Sequence, residues 1–314
     1  MVTMTFSSPK PKHRGGTKDA RASLFATPLG MADILPRDEM WWSAVREAGA
    51  SVAALHDFSI LETPVVESAG LLEAGFGTSG RGDQPFYEVR GRRERLALRT
   101  ETAIGTMRSF LEHHLGYAAS PLKVWLMGPV FCLLPPHPDT RRLTHELAFH
   151  VVGDSDPVYD MEAILASLEV LRELKFKDLK LGLNTMGCRV CRPHYRDKLR
   201  SYYQGKRQKI CRRCVGLLEK QPLRLLSCEV EACRELRADA PIILDYSCQN
   251  CNNHFKTVLE LIEDNGIVYE PNPYLLGSAD YFSRTVFEAS VSSFALPLVC
   301  GGRYDYVGEA VHGR

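Results

Sequence analysis

Apolar residues recur along this chain with two different periods. Spacing of three or four residues, which is typical of an amphipathic helix, predicts helices at 39–55, 102–114, 161–174 and 254–264. Short extended apolar stretches predict strands at 58–67, 124–127, 148–152, 179–184, 284–290 and 295–302.

These elements follow one another in a mixed order, and the predicted strands cluster with short connections between them. Such an order favours an antiparallel sheet flanked by helices, an α+β fold, over a doubly wound parallel fold. The 314 residues are enough for about two domains.

Composition narrows the class of protein. The net charge of +1 gives the whole molecule no field that would attract a polyanion. No apolar run approaches the ~18 residues of a membrane-spanning helix, and the polar, basic start lacks the core of a secretory signal. We therefore expect a cytoplasmic protein without a membrane partner. Residues 1–27 are predicted to be a disordered basic tail, with a nucleic-acid-binding arm as the alternative.

Cysteine is concentrated in one region. Of ten cysteines, eight lie between Cys188 and Cys251. Without an export signal, such a cluster indicates thiols or metal rather than disulfides. Spacing predicts a structural zinc site at Cys188, Cys191, Cys211 and Cys214, and more weakly a second at Cys228, Cys233, Cys248 and Cys251. Cross-pairing between the groups and a helical core of reduced thiols are the alternatives.

The same region is rich in arginine and lysine and contains Tyr195, Tyr202 and Tyr203. Stacking of single-stranded nucleic-acid ends on these rings is one interpretation. A solvated basic helix surface is the plainer one.

Six ordered segments carry a resemblance to a known family. They are GMADILPRDEMWW (30–42), FSILETPVVES (58–68), LALRTETAIGTMRSF (96–110), the stretch from GPVF to VVG (128–153), DYFSRTVFE (280–288) and LVCGGRYD (298–305). In this order they resemble the class II catalytic core of histidyl-tRNA synthetases. The resemblance implies a six-stranded antiparallel sheet with flanking helices and a helical insertion domain.

It also implies a division of the chain. The core would span residues 28–186, with the motif 1 and motif 2 regions, and the Cys-rich basic insertion domain 187–253. Residues 254–314 would return to the core and stop before motif 3.

The resemblance places catalytic cations at positions that hold other residues here. Cys132 matches the motif 2 arginine, Leu134 the motif 2 glutamate, and Gly277 a further arginine. Because planar guanidinium groups stabilise the charge that develops on the α-phosphate, we expect activation of histidine and binding of ATP with magnesium to be lost.

The matching amino-acid pocket is only partly retained. Glu146 and His150 replace a glutamine and a glutamate of the family. The remnants of the pocket are Glu101, Glu146, His150, Asp280, Tyr281, Arg303 and Tyr304. A structural role is the favoured alternative, in which Arg303 pairs with Asp305 or Glu288.

The leading hypothesis is a family member without aminoacylation activity, homodimeric through the motif 1 region, with weak or no tRNA binding. The first alternative is the histidine-sensing regulatory subunit of ATP phosphoribosyltransferase, a protein of histidine biosynthesis, bound to its catalytic subunit. The second is a fragment of an active histidine–tRNA ligase.

Overall fold

The computed structural model describes residues 2–6, 26–76, 86–117, 120–133, 141–277 and 281–312. Its helices are α1 Glu39–Leu55, α2 Ala69–Phe76, α3 Ala103–Glu112, α4 Val158–Glu173, α5 Cys191–Gln204, α6 Arg212–Leu217, α7 Glu231–Ala238, α8 Gln249–Asp264 and α9 Val307–His312. Its strands are β1 Val2–Phe6, β2 Ser59–Ile60, β3 Val66–Ser68, β4 Glu88–Arg90, β5 Arg95–Leu98, β6 Leu122–Phe131, β7 Leu143–Val152, β8 Lys180–Thr185, β9 Tyr269–Pro271, β10 Ser283–Ser290 and β11 Val299–Arg303.

An eight-stranded sheet runs through the described residues in the order β2-β6-β7-β1-β11-β10-β8-β9. The six strands from β6 to β8 pair antiparallel with their neighbours. Only the two edge strands, β2 and β9, join in parallel. The predicted α+β fold with an antiparallel sheet and flanking helices is confirmed.

The first strand corrects one prediction. β1 lies between β7 and β11, with Met4 opposite Leu147 on one side and Val299 on the other. The Met4 side chain is fully buried in the main core. A disordered tail is therefore wrong for residues 2–6, because their backbone groups complete the sheet. Residues 7–25 lie outside the described part of the chain.

The predicted strand at 58–67 is also corrected, because it is two strands in two sheets. β2 pairs with β6 in the large sheet, whereas β3 joins a three-stranded sheet with the hairpin β4–β5. Pro64 lies between them and has no backbone N–H to donate, so the ladder ends there.

Two layers of side chains hold these elements together. Helices α1, α4 and α8 pack on one face of the sheet around Phe149, Ile164, Leu171, Val258 and Phe287. On another side of the core, α2, α3 and α9 enclose a second cluster around Ile104 and Phe282. The site residues lie along the strands and turns that border this second cluster.

Helices α5, α6 and α7 and several 3₁₀ turns follow β8 and have a core of their own. Tyr195, Leu199, Tyr203 and Leu226 are almost completely buried there. The predicted helical, Cys-rich region is thus present. Helix α8 begins at Gln249, five residues before the start expected from its apolar spacing. Across the described ranges, no helix has the length and apolarity needed to cross a membrane.

Candidate functional site

The hairpin β6–β7 forms one side of the candidate site. Its ladder runs without interruption from Leu122 opposite Val152 to Phe131 opposite Leu143. Cys132 extends it, because its backbone N donates to the Arg142 carbonyl at 2.8 Å. The half-buried Cys132 therefore stands where the hairpin opens toward its loop. Leu134 lies in 134–140, outside the described residues.

Arg99 fastens this hairpin to the segment before α3. Its Nε donates to the Pro129 carbonyl at 2.8 Å, and its Nη1 donates to the carbonyl and the hydroxyl of Thr63 at 3.1 and 3.2 Å. A Cβ at Gly128 would collide with Nη2 of Arg99, so glycine is required for this approach. Burial lowers the pKa of Arg99, although neighbouring glutamates oppose that effect. The guanidinium serves the scaffold, since these hydrogen bonds join it to Thr63 and Pro129.

Gly277, the second position that matches a catalytic arginine, has no room for a side chain. Its φ is +72°, a left-handed value that favours glycine. A Cβ built there would lie 2.5 Å from Cδ2 of Phe282 and 3.1 Å from Cγ1 of Val286. Phe282 and Val286 are fully buried and have no space to withdraw. With this backbone, an arginine at position 277 is excluded.

Glu101 lies at the start of α3. Its carboxylate accepts from the backbone N of Ala103 at 2.6 Å and of Ile104 at 3.0 Å, which satisfies two N–H groups at that end of the helix. The Tyr281 hydroxyl donates to the same carboxylate at 3.0 Å. Glu101 and Tyr281 are therefore neighbours, as the resemblance requires, and the carboxylate is occupied by the protein itself.

His150 is fully buried at the centre of the pocket. Its two ring nitrogens lie 3.2 Å from the Thr102 hydroxyl and 3.2 Å from the Tyr304 hydroxyl. Thr102 in turn lies 3.4 Å from a carboxylate oxygen of Glu146. Burial holds the pKa of His150 well below its ordinary value, so the imidazole is neutral at pH 7.

Arg303 takes part in a different group of side chains. Its Nη1 donates to Asp160 at 2.6 Å and its Nε to Asp305 at 3.1 Å. Asp160 also accepts from His254 at 2.8 Å and Thr285 at 2.6 Å. Burial opposes ionisation of Asp160, but the His254 hydrogen bond and the Arg303 charge outweigh it and lower its pKa.

This group joins α4, α8, β10 and β11, so Arg303 has the structural role left open above, with Asp160 as an added partner. The other described residues of the predicted pocket lie close to one another; they are Glu101, Glu146, His150, Tyr281 and Tyr304. Asp280 lies in 278–280, outside the described residues.

The eight clustered cysteines form two groups of four, but the grouping predicted from spacing is wrong. One group contains Cys188, Cys191, Cys248 and Cys251, and the other contains Cys211, Cys214, Cys228 and Cys233. Each predicted group combined cysteines that lie apart in the fold. The chain comes back to Cys188 only after α5, α6 and α7, so the cysteines beside Cys188 and Cys191 are the last two of the region. The open alternative of cross-pairing is the one observed.

Sulfur distances in both groups suit a tetrahedral metal. Sγ–Sγ separations are 3.4 Å for Cys188–Cys191, 3.8 Å for Cys191–Cys251 and Cys211–Cys228, and 3.9 Å for Cys214–Cys233. Four sulfurs at about 2.3 Å from one Zn²⁺ would lie about 3.8 Å apart. These separations are also far too long for disulfide bonds, which measure about 2.05 Å.

Backbone groups support the sulfurs. The N–H of Cys248 donates to Sγ of Cys191 at 3.1 Å, and that of Cys211 to Sγ of Cys233 at 3.2 Å. A backbone hydrogen bond from Cys214 lowers the pKa of Cys211 to about 7. Burial raises the pKa of Cys191, Cys214, Cys233 and Cys251, so the sulfur geometry is what supports a metal, and either group could hold an ion.

The tyrosines of the inserted region are not available for stacking. Tyr195 and Tyr203 are each 1% exposed. The Tyr195 hydroxyl donates to the Pro241 carbonyl at 2.9 Å, and the Tyr202 hydroxyl donates to the Leu236 carbonyl at 2.7 Å. Lys206 covers the Tyr202 ring at 3.6 Å. The interpretation of these rings as a nucleic-acid platform is wrong.

Sequence reasoning missed three features of the site. Asp160 is one of several acids in α4, and Thr102 has no motif role, so neither gave a signal. The grouping of the cysteines did have one. Both the first and the last cysteine pairs of the region have C-x₂-C spacing, which suits pairing of its two ends.

Comparison with known proteins places this geometry in a family. The histidyl-tRNA synthetase profile matches residues 30–314. The histidine–tRNA ligase of Halothermothrix orenii is 32% identical over 292 residues, covering 91% of this chain and 70% of that protein. That of Dehalococcoides mccartyi is 34% identical, with 93% and 71% covered. The chain belongs to the histidyl-tRNA synthetase family.

Solved structures agree on the fold. Apo histidyl-tRNA synthetase of Staphylococcus aureus superposes with a TM-score of 0.71 at 23% identity, covering 93% of this chain and 69% of that one. A Bacillus halodurans protein described as an ATP phosphoribosyltransferase regulatory subunit/histidyl-tRNA synthetase gives a TM-score of 0.66 at 19% identity, with 93% and 79% covered. The core is that of a class II aminoacyl-tRNA synthetase.

The exclusion of side chains at position 277 is testable. Gly277→Ala should reduce the free energy of unfolding by about 2–4 kcal/mol, because left-handed strain and overpacking add. Gly216→Ala is the matched control, since nothing lies within 4 Å of a Cβ there. Urea denaturation followed by circular dichroism gives both values. Equal stability of the two variants would contradict the packing described around Gly277.

Proposed function

We propose that this member of the histidyl-tRNA synthetase family does not activate histidine. The observation that carries the proposal is the pair Cys132 and Gly277, which stand where the family has phosphate-binding arginines. Loss of one such contact typically costs about 3 kcal/mol of transition-state stabilisation, about a hundredfold in rate. At position 277 the backbone also gives no room for a replacement cation.

The pocket supports the same proposal. The family glutamate that holds the substrate's imidazole matches His150, which is buried and neutral. A neutral imidazole forms hydrogen bonds but supplies no negative charge for a protonated histidine side chain. Its two nitrogens already contact Thr102 and Tyr304, so a ligand would have to displace those partners.

A second candidate function rests on the structural neighbour from Bacillus halodurans, whose description includes an ATP phosphoribosyltransferase regulatory subunit. In that case the protein would sense histidine and bind a phosphoribosyltransferase catalytic subunit. The Cys-rich insert and the altered Glu146 and His150 weigh against it, and we place it second.

Both cysteine groups are proposed to hold structural zinc. Four thiolates leave no open coordination position, so the metal would organise the fold and take no part in chemistry. One ion would join the two ends of the insert through Cys188, Cys191, Cys248 and Cys251. The other four would bind one within it.

A homodimer through the motif 1 region is the proposed assembly. Helix α1 and strand β2 expose Met40, Trp41, Leu55 and Ile60 by 66, 67, 72 and 67%. Large apolar side chains exposed to this degree on one helix and one strand indicate a protein interface. Sedimentation velocity should therefore give a dimer for the wild type and a monomer for Trp41→Glu. A monomeric wild type at micromolar concentration would contradict the assembly.

Histidine-dependent exchange of pyrophosphate into ATP tests the main proposal. We expect a rate at least about 10³-fold below that of the Halothermothrix orenii ligase assayed in parallel, because two transition-state contacts are missing. A rate within tenfold of that ligase would overturn the proposal.

Calorimetric titration with histidine separates the alternatives. Micromolar to low-millimolar binding without exchange would favour the histidine-sensing subunit. Binding that tightens sharply with ATP and magnesium would instead indicate an active ligase.

Metal analysis of cysteine variants tests the zinc proposal together with its grouping. The wild-type protein should contain two zinc ions per chain. Cys188→Ser/Cys251→Ser removes two ligands of one observed group and should leave one ion. Cys188→Ser/Cys211→Ser removes one ligand from each group and should weaken both ions. Where a variant is too unstable for metal analysis, cobalt can replace zinc. The thiolate-to-cobalt charge-transfer absorption then reports whether each cysteine group binds a metal ion. If Cys188→Ser/Cys211→Ser instead left one ion and Cys188→Ser/Cys251→Ser weakened both, the grouping by sequence order would be supported. A metal-free wild type would refute zinc binding under either grouping.

A further inference from the structure

The turn that begins the inserted region lies against the core. We call residues 188–191 the junction turn; it connects Gly187 to α5 and supplies two cysteines of the outer group, which is Cys188, Cys191, Cys248 and Cys251. Gly187 has a φ of +61°, and its carbonyl accepts from the backbone N of Arg284 at 2.9 Å. The junction turn is therefore attached to the first residues of β10.

Inside the junction turn, Arg189 contacts the segment that leads into α9. Its Nη2 donates to both carboxylate oxygens of Glu309 at 2.8 Å, and its guanidinium carbon lies 4.1 Å from the ring centroid of Tyr306. Its backbone N also donates to the Tyr306 hydroxyl at 3.2 Å. Since Tyr306 closely follows Tyr304 in the chain, these contacts help to place the Tyr304 side of the pocket.

Arg192, the residue after the junction turn, contacts a second part of the pocket. Its Nε donates to the Met186 carbonyl at 3.2 Å, and its Nη2 donates to the Phe282 carbonyl. Phe282 is fully buried and follows Tyr281, whose hydroxyl donates to Glu101. The junction turn and the residue after it thus contact the neighbours of both pocket tyrosines.

The two sulfurs of the junction turn are close enough to be joined by a bond. Their separation of 3.4 Å is shorter than the 3.8 and 3.9 Å of the other sulfur pairs described above. A disulfide of about 2.05 Å would need an approach of only about 1.4 Å. Val190, which lies between the two cysteines, is 72% exposed, so a small oxidant can reach the turn. Metal-binding cysteines are thiolates, the form that reacts with oxidants.

We propose that the junction turn is a modification site for hydrogen peroxide, at which a Cys188–Cys191 disulfide releases the hold of the inserted region on the pocket. The proposal rests on the zinc binding proposed above for the outer group. It adds a redox reaction of two of the ligands and a consequence for Tyr281 and Tyr304.

The reaction has two steps. The Cys188 thiolate attacks one oxygen of hydrogen peroxide, the O–O bond breaks, and a sulfenic acid and a hydroxide are formed. The Cys191 thiolate then attacks the sulfenic sulfur, so that the S–S bond forms and a second hydroxide leaves. Both hydroxides take up a proton and become water. The two sulfurs lose two electrons in total, and the peroxide gains them.

Oxidation changes the junction turn in two ways. It leaves only Cys248 and Cys251 as thiolates of the outer group, and two ligands do not satisfy the four positions of zinc. The new bond also draws the ends of the turn together, which displaces Arg189 and Arg192 from their partners. Without these contacts, α9 and the start of β10 open more often.

Treatment of the full chain with hydrogen peroxide tests the proposal, with peptide mass mapping, zinc release and amide hydrogen exchange as readouts. We expect a Cys188–Cys191 disulfide and loss of the outer ion. Exchange in residues 281–284 and 304–312 should become at least about tenfold faster, because the local opening equilibrium sets its rate. A reductant together with zinc should restore slow exchange.

Two variants separate the junction turn from the other thiols. Cys211→Ser/Cys214→Ser is the matched control, because it removes the second C-x₂-C pair and keeps the junction turn. Its exchange in the two segments should respond to peroxide as that of the wild type does. Cys188→Ser should exchange fast in these segments before peroxide is added and should show no further change.

Two results would overturn the proposal. One is a peroxide response of Cys188→Ser equal to that of the wild type, and the other is a Cys188–Cys191 disulfide that leaves exchange unchanged. If the control variant does not fold, partly oxidised wild type replaces it. The fast-exchanging fraction should then equal the fraction of molecules that carry the disulfide, and unequal fractions would contradict the proposal.

Metal analysis before treatment distinguishes this proposal from zinc binding itself. Zinc-loaded protein that forms no Cys188–Cys191 disulfide would overturn the modification site and leave zinc binding intact. Metal-free protein in which this disulfide forms and speeds exchange would refute zinc binding and support the modification site.

Discussion

Backbone pairing at β1 makes the large sheet continuous. β7 contacts β11 only through β1, so the hairpin β6–β7 and the pair β10–β11 are joined by five residues of the chain. The candidate pocket depends on this arrangement. Glu146 and His150 lie on β7, whereas Tyr304 follows β11, and their mutual contacts require the spacing that one intervening strand provides. Unpaired backbone groups in the middle of a sheet are costly, which gives these five residues an importance beyond their number.

Local patterns were sufficient for most of the sheet and helices. Helices α1 and α4 and strand β10 have local periodicities that predict nearly their full lengths. The predicted strands 124–127 and 148–152, in contrast, cover only about half of β6 and β7. β1 could not be predicted in the same way. Its five residues are too few to establish a period, and its partners lie about 145 and 297 positions away in the chain. Pro64 weakened the predicted strand 58–67 at a position visible in the sequence. The sheet that each of the two resulting strands, β2 and β3, joins depends on tertiary structure.

The site was predictable as a set of positions and not as a set of contacts. The motifs identified Glu101, His150 and Tyr304, and the structure shows Glu101 bonded to Tyr281 and His150 in contact with Thr102 and Tyr304. Arg99 fastens the hairpin, and the backbone at Gly277 leaves no space for a side chain. Sheet pairing and core packing set the geometry of the pocket, and they do not depend on the charges that line it.

The arrangement of the cysteines has a consequence for how the inserted region folds. The group Cys211, Cys214, Cys228 and Cys233 closes a short loop that lies inside the longer loop closed by Cys188, Cys191, Cys248 and Cys251. The entropy lost on closing a loop grows with its length, and each doubling adds about 0.6 kcal/mol. Formation of the inner loop first shortens the free chain that the outer group must bring together. The lower entropy cost therefore favours assembly from the centre outward.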